Sequence, residues 1–190
     1  MSNGPFVKIR VATAAEICAH FDLKDDTKPL LRDGIDPRQF VIMLLENNKC
    51  IDAIHFMAHA LPPREAIWWG CLCIQHALGD ELTPADRAAV TAAVRWVMEP
   101  TEDSRMAAKA PADGAPIPSA AGTLALAAFY TGGNVAPPGL PPMSPEPFAS
   151  ARAVALAVTL ASVKAEPRKI VKTQKAYVEL AAQVAEGSLI

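Results

Sequence analysis

Proline decides where a helix in this chain can begin and end. The chain has 17 prolines in 190 residues. A proline inside a helix removes a backbone hydrogen bond and clashes with the preceding turn. At the first helical position it is tolerated, because the N–H there has no partner anyway. Pro37, Pro63, Pro84 and Pro167 each open a helical pattern, and Pro100 closes one. The chain is thereby cut into short helices, and the short loops between them make neighbours antiparallel.

The flanking residues agree with this division. In DPRQFVIMLLENN, Asp36 is the N-cap and Gln39 stands where a capping box would place it. KCIDAIHFMAHAL follows a break at Asn47-Asn48. Pro62-Pro63 then stops one helix and starts PREAIWWGCLCIQHAL, folding the two into a central hairpin. Thr83 caps LTPADRAAVTAAVRWVMEP, with Asp86 in the first turn and a stripe of Val90, Val94 and Val97. Thr101 caps TEDSRMAAKA, and ATAAEICAHFDL is an earlier short amphipathic helix.

From Gly114 to Pro145 no residue is charged. Within that stretch SAAGTLALAAFYTGG reads as a helix ended by Gly132-Gly133. NVAPPGLPPMSPEP is too proline-dense for helix or central strand, and is expected as a Pro-rich strap pinned over its own domain. FASARAVALAVTLASV is apolar almost all round, hence buried on most sides. The last helix presents Ile170, Tyr177, Leu180, Ala181 and Val184. Near the start, FVKIRV alternates like a short half-buried strand, or an extended segment packed on helices. As a strand it would offer a docking edge to another chain. The fold expected is all-α, a compact bundle of eight or nine short helices in antiparallel hairpins, with a short extended N-terminal segment. One domain spans 1–190: hairpins over 12–112, the uncharged helix and strap over 113–147, and C-terminal helices over 148–187.

Several classes of function lose support. Net charge is −2, which implies no bulk attraction to nucleic acid or anionic membrane. Arg168, Lys172 and Lys175 share a face of the last helix, but no aromatics interleave with them, so it reads as a solvated face. No apolar run is long enough for a membrane span, and no secretory signal opens the chain. A soluble cytoplasmic protein with reduced thiols is the expectation. Phosphate-loop, dinucleotide and nucleophile-elbow motifs are absent.

Residues 53–78 gather His55, His59 and His76 with Cys71 and Cys73. His55 and His59 share one helix face, and Cys73 and His76 share another. Four such ligands suit tetrahedral zinc. The spacing matches no established zinc pattern, and HFMAH lacks the glutamate of a metalloprotease. Cys71 and Cys73 point to nearly opposite sides, and their apolar neighbours do not suit a reactive thiol. The cluster therefore reads as core and surface side chains, with zinc at His55, His59, Cys73 and His76 as the alternative. Trp68 and Trp69 diverge by about 100° on a helix. One can enter the core while the other meets a partner, with Arg64 and Glu65 as its polar rim.

LPPREAIWWGCLCIQHAL, AVRWVMEPTEDSRMAA and GGNVAPPGLPPM, in that order over roughly residues 49–160, resemble an uncharacterised bacterial family of small helical proteins associated with type VI secretion gene clusters. The resemblance implies no catalytic residues. It implies an accessory, adaptor or regulatory protein whose partner is another protein, a secretion component or effector. Together with the missing enzyme motifs, it makes a non-enzymatic interaction module the expected function. A homodimer is a further possibility.

Overall fold

The computed structural model describes residues 4–164 and 166–188. Ten helical segments carry the described chain: α1 (Ala14–Cys18), α2 (Pro37–Glu46), α3 (Cys50–Ala60), α4 (Pro63–Leu78), α5 (Pro84–Met98), α6 (Glu102–Ala107), α7 (Lys109–Gly114), α8 (Ala120–Phe129), α9 (Ala149–Ser162) and α10 (Ile170–Ala185). The segments α6 and α7 abut at Ala108, which stays in the right-handed helical region, so the two form one bent rod. No strand occurs among the described residues. The architecture is the all-α bundle that the proline spacing predicts.

The helix starts follow the local chemistry closely. Pro37, Pro63 and Pro84 occupy the first positions of their helices. The Asp36 carboxylate accepts the N–H groups of Arg38 and Gln39. Thr83 accepts from the Asp86 N–H, and Thr101 from that of Ser104. Each satisfies a donor that a helix start would otherwise leave open. The reciprocal capping box expected from Gln39 does not form at α2. Reciprocal boxes form instead at α1, where Glu16 pairs back to Thr13, and at α6, between Thr101 and Ser104.

Helix α4 is the centre of the molecule, packing on α5, α8, α9 and α10. Its approach to α8 requires Gly70: a Cβ there would stand 2.4 Å from a Leu124 methyl. The most extensive helix pair is α8 with α9. Alanines fill this part of the core, Ala127, Ala128, Ala155, Ala157 and Ala161 among them, all fully buried, while Ala121 and Ala125 cluster with Ala89 of α5. Small side chains let helix axes approach to the short end of their usual 8–10 Å.

Four expectations need correction. First, α3 and α4 do not form a packed hairpin. They separate after Pro62, and α9 and α10 each pack on both. The apolar faces of α3 and α4 are buried by α9 and α10 instead. Second, the segment around FVKIRV is not a strand. Val7 is 63% exposed, and the segment is a turn held by the Lys8 N–H donating to the Ala185 carbonyl. Phe6 lies beneath the Arg38 guanidinium at 5.1 Å. Third, the buried stripe of α5 is Asp86, Ala89, Ala93, Trp96 and Val97, while Val90 and Val94 are only partly covered. Alanines face α8 because that contact is close.

The fourth correction concerns the strap, which is not pinned over the domain. Residues from Pro137 to Ser144 are exposed. The chain leaves α8, turns out, and closes on itself where the Val135 N–H donates to the Met143 carbonyl at 2.8 Å. It is a projecting loop.

Candidate functional site

The residues singled out in the sequence scatter on folding. Cys73 is fully buried, and its thiol is pushed well above its ordinary value by burial and then by neighbouring Cys71. Burial likewise pushes the Cys71 and Cys18 thiols up to about 12. None of these is a thiolate near neutrality. His76 is exposed on α4 and meets Tyr177 edge-on, its Nδ1 3.4 Å from the Tyr177 hydroxyl. His55 and His59 lie instead on α3, against Phe21. His55 and His59 thus lie together on α3 while Cys73 and His76 lie on α4, and among the described residues no group of three or more His, Cys, Asp or Glu is placed to hold a metal.

The partner-binding candidates also divide. Trp69 is fully buried, and its indole N–H donates to the Tyr177 carbonyl at 2.8 Å. It cannot reach a partner while the protein is folded. Trp68 is half-buried against the core. The Arg64 Nε donates to the Val97 carbonyl, and Glu65 faces Lys8 at 3.5 Å.

What the fold does assemble lies around the Pro62-Pro63 junction. As α3 and α4 part there, the ends of α8 and α9 close the gap. Pro63 and Thr131 separate two hollows. One is a cavity of about 230 Å³ between α3, the end of α8 and the start of α9. The other is a more open groove over Trp96, Thr101 and Arg105.

Arg105 anchors the groove. Only 3% exposed, it forks onto Glu102, with Nε and Nη2 each 2.7 Å from a carboxylate oxygen. Its Nη1 donates to the Phe129 carbonyl at 2.6 Å and its Nη2 to the Asn134 carbonyl at 3.1 Å. The guanidinium also lies 5.1 Å from the Phe129 ring centre. One side chain therefore ties the end of α8 to the start of the loop. Gly133 makes this fit: its φ is +66°, and a Cβ would sit 2.6 Å from the guanidinium. Arg105 escaped the sequence reading. The Glu102–Arg105 spacing of a helical ion pair was its one local signal.

Asn134 sets the loop itself. Its side-chain carbonyl accepts the N–H groups of Ala136 at 3.0 Å and Met143 at 2.9 Å. Between these anchors Pro137, Pro138, Pro141 and Pro142 fix φ. Leu140 is 60% exposed and Met143 57%. The result is a stiff, uncharged projection with apolar side chains in solvent.

The cavity holds two buried polar atoms with no hydrogen-bond partner among the described residues, His59 Nε2 and Ser150 Oγ. His59 Nδ1 lies 2.8 Å from the His55 carbonyl. A carbonyl only accepts, so Nδ1 carries the proton and Nε2 is a bare acceptor in the neutral ring. Burial holds both His55 and His59 below the ordinary 6.5. On unfolding they recover their ordinary affinity, so the unfolded chain binds more protons once pH falls below that value. Stability is full above the unfolded pKa and declines as pH falls through it. The melting temperature should therefore drop between neutral pH and about pH 5, and His59→Gln should shrink the drop. Equal melting temperatures at the two ends would contradict the burial described.

These features define a class: an all-helical bundle with a projecting proline loop and a small cavity at the start of α9. Within it, residues 40–185 match the model of a family of unknown function, DUF6931, and the chain belongs to that family. Every residue lining the cavity and groove falls inside the match. No curated protein and no solved structure matches the chain. No helix among the described residues is long and apolar enough to cross a membrane.

Proposed function

We propose that this protein is a non-enzymatic interaction module that docks another protein through the loop Asn134–Met143. The observation that carries the reading is the loop's combination of exposure and order. Leu140 and Met143 stand in solvent, yet the backbone beneath them is fixed by Asn134, Arg105 and four prolines. A segment already rigid loses little conformational freedom when captured. Proline-rich segments of this kind dock into aromatic-lined grooves. The finer reading is an accessory or adaptor protein of a type VI secretion system, acting in the cytoplasm on a secretion component or effector. It is supported by the three sequence blocks that resemble that family, one of which is the loop.

Leu140→Ser with Met143→Ser tests the docking site, since both side chains are exposed and their loss should leave the fold intact. In affinity purification from the native host, the double variant should lose its partner about tenfold or more, as expected when interface anchors are removed. An unchanged partner yield would sink the reading. Light scattering of the purified protein across concentrations addresses a second copy as the partner.

A further inference from the structure

We propose that the cavity beside Pro63 and Thr131 is a binding site for a small organic anion, a short-chain carboxylate seated at the N-terminus of α9 with its tail against α3 and α4. The head of the site is the first turn of α9. Phe148, the N-cap, offers no side-chain cap. The Ala149 N–H donates to the Glu146 carbonyl and the Arg152 N–H to the Phe148 carbonyl, but the N–H groups of Ser150 and Ala151 have no acceptor among the described residues. Both residues line the cavity. Open N–H groups and the positive helix end together attract negative charge.

Ser150 is the independent sign of a ligand. It is only 8% exposed, and its Oγ is a buried donor without a partner, on the wall of a cavity large enough for one. A buried hydroxyl left unpaired is costly, so a native structure that keeps one usually pairs it with something. His59 supplies a second such atom, Nε2. Ser150 and His59 share no hydrogen bond, so they do not form an activated nucleophile and base.

The charges point to an anion. No Asp or Glu lines the cavity. Of the groups that act on His59, Arg152 on α9 is a fixed cation, and His55 on its own helix and His20 after α1 are imidazoles. Arg152 reaches back to the Pro147 carbonyl, which holds its charge beside the same helix turn. Most of the remaining wall is apolar, from Ala58, Leu61, Pro63, Ala66 and Phe148, with Tyr130 and Thr131 as its other polar members. A volume of about 230 Å³ is the share of roughly eight liquid waters. That suits a carboxylate carrying a few carbons. Once an anion sits opposite His59, protonation of Nε2 turns an acceptor into a charged donor, so binding should tighten as pH falls.

The test is a backbone and imidazole NMR titration of the full chain with butyrate, and with n-butanol and inorganic phosphate in parallel. Butyrate should shift the Ser150 and Ala151 amides and the His59 ring saturably. Affinity should rise from about pH 8 to about pH 6, and His59→Gln should flatten that rise. Ser150→Ala should weaken butyrate about tenfold without lowering the melting temperature, because the hydroxyl it removes has no partner in the free protein. The assignment fails if butyrate gives no saturable shift at Ser150 and Ala151, or if Ser150→Ala binds as well as the parent. It also fails if butanol or phosphate binds more tightly than butyrate.

Discussion

Replacing Trp69 with alanine is expected to bring the protein to the edge of unfolding. Trp69 is fully buried on the central helix α4, which packs on four other helices. Large aromatic-to-alanine changes in a core cost about 3–5 kcal/mol, through lost transfer energy and the cavity left behind. The change also strips the Tyr177 carbonyl of the indole N–H that now donates to it, adding about 1 kcal/mol or more. Against a typical total of about 5–15 kcal/mol, that sum is decisive. Urea unfolding followed by circular dichroism should show the midpoint collapse. Trp68→Ala, at a half-buried position one residue away, should lower it far less. Equal effects of the two substitutions would mean that the central helix is rotated from the orientation described. Trp69→Ala is consequently no test of an interface: a variant that fails to fold loses every partner.

Arg105→Met is the second large effect. The methionine keeps much of the side-chain volume and removes the five-donor fork. The Phe129 and Asn134 carbonyls lose their donor, and Glu102, being exposed, does not trap a buried charge. Each buried acceptor left open costs about 1–3 kcal/mol, and the open groove beside it lets water relieve part of that. A net loss of about 2–4 kcal/mol follows. Lysine should not rescue it, since a point-like ammonium cannot serve Glu102 and two carbonyls at once. The distinctive readout is local. Hydrogen exchange at the Ala136 and Met143 amides should accelerate beyond what the global loss explains, because Arg105 holds the foot of the loop. Unchanged relative protection of those amides would remove Arg105 from the loop's support.

The helix starts were legible because they depend on neighbours in sequence. Asp36 with Pro37, and Thr83 with Pro84, carry their physics within one turn. The central hairpin was misread because the Pro62-Pro63 break shows that a helix ends, not what covers its face. That cover comes from α9 and α10, about a hundred residues later. The loop was misread for a related reason. Proline density excludes helix and sheet, but whether such a segment is pinned or projects depends on a fork from Arg105 and an amide from Asn134. Neither residue is conspicuous in the chain. The histidine cluster reads in sequence as core and surface side chains, with a shared zinc set as the alternative. What sequence does not show is that packing sends His76 to face Tyr177 and turns His59 toward Ser150's cavity. No pattern linked His59 to Ser150, because the lack of a partner is visible only in three dimensions.

The claim that the loop meets a partner is tested most directly by photo-crosslinking in the native host. A photoreactive residue replaces Leu140, and in a control replaces Val163. Val163 is 51% exposed and follows the far end of α9, whose 14 residues span about 20 Å. A discrete adduct with another protein from position 140, absent from position 163, is the predicted result. No adduct from 140, or the same adduct from both positions, would contradict it.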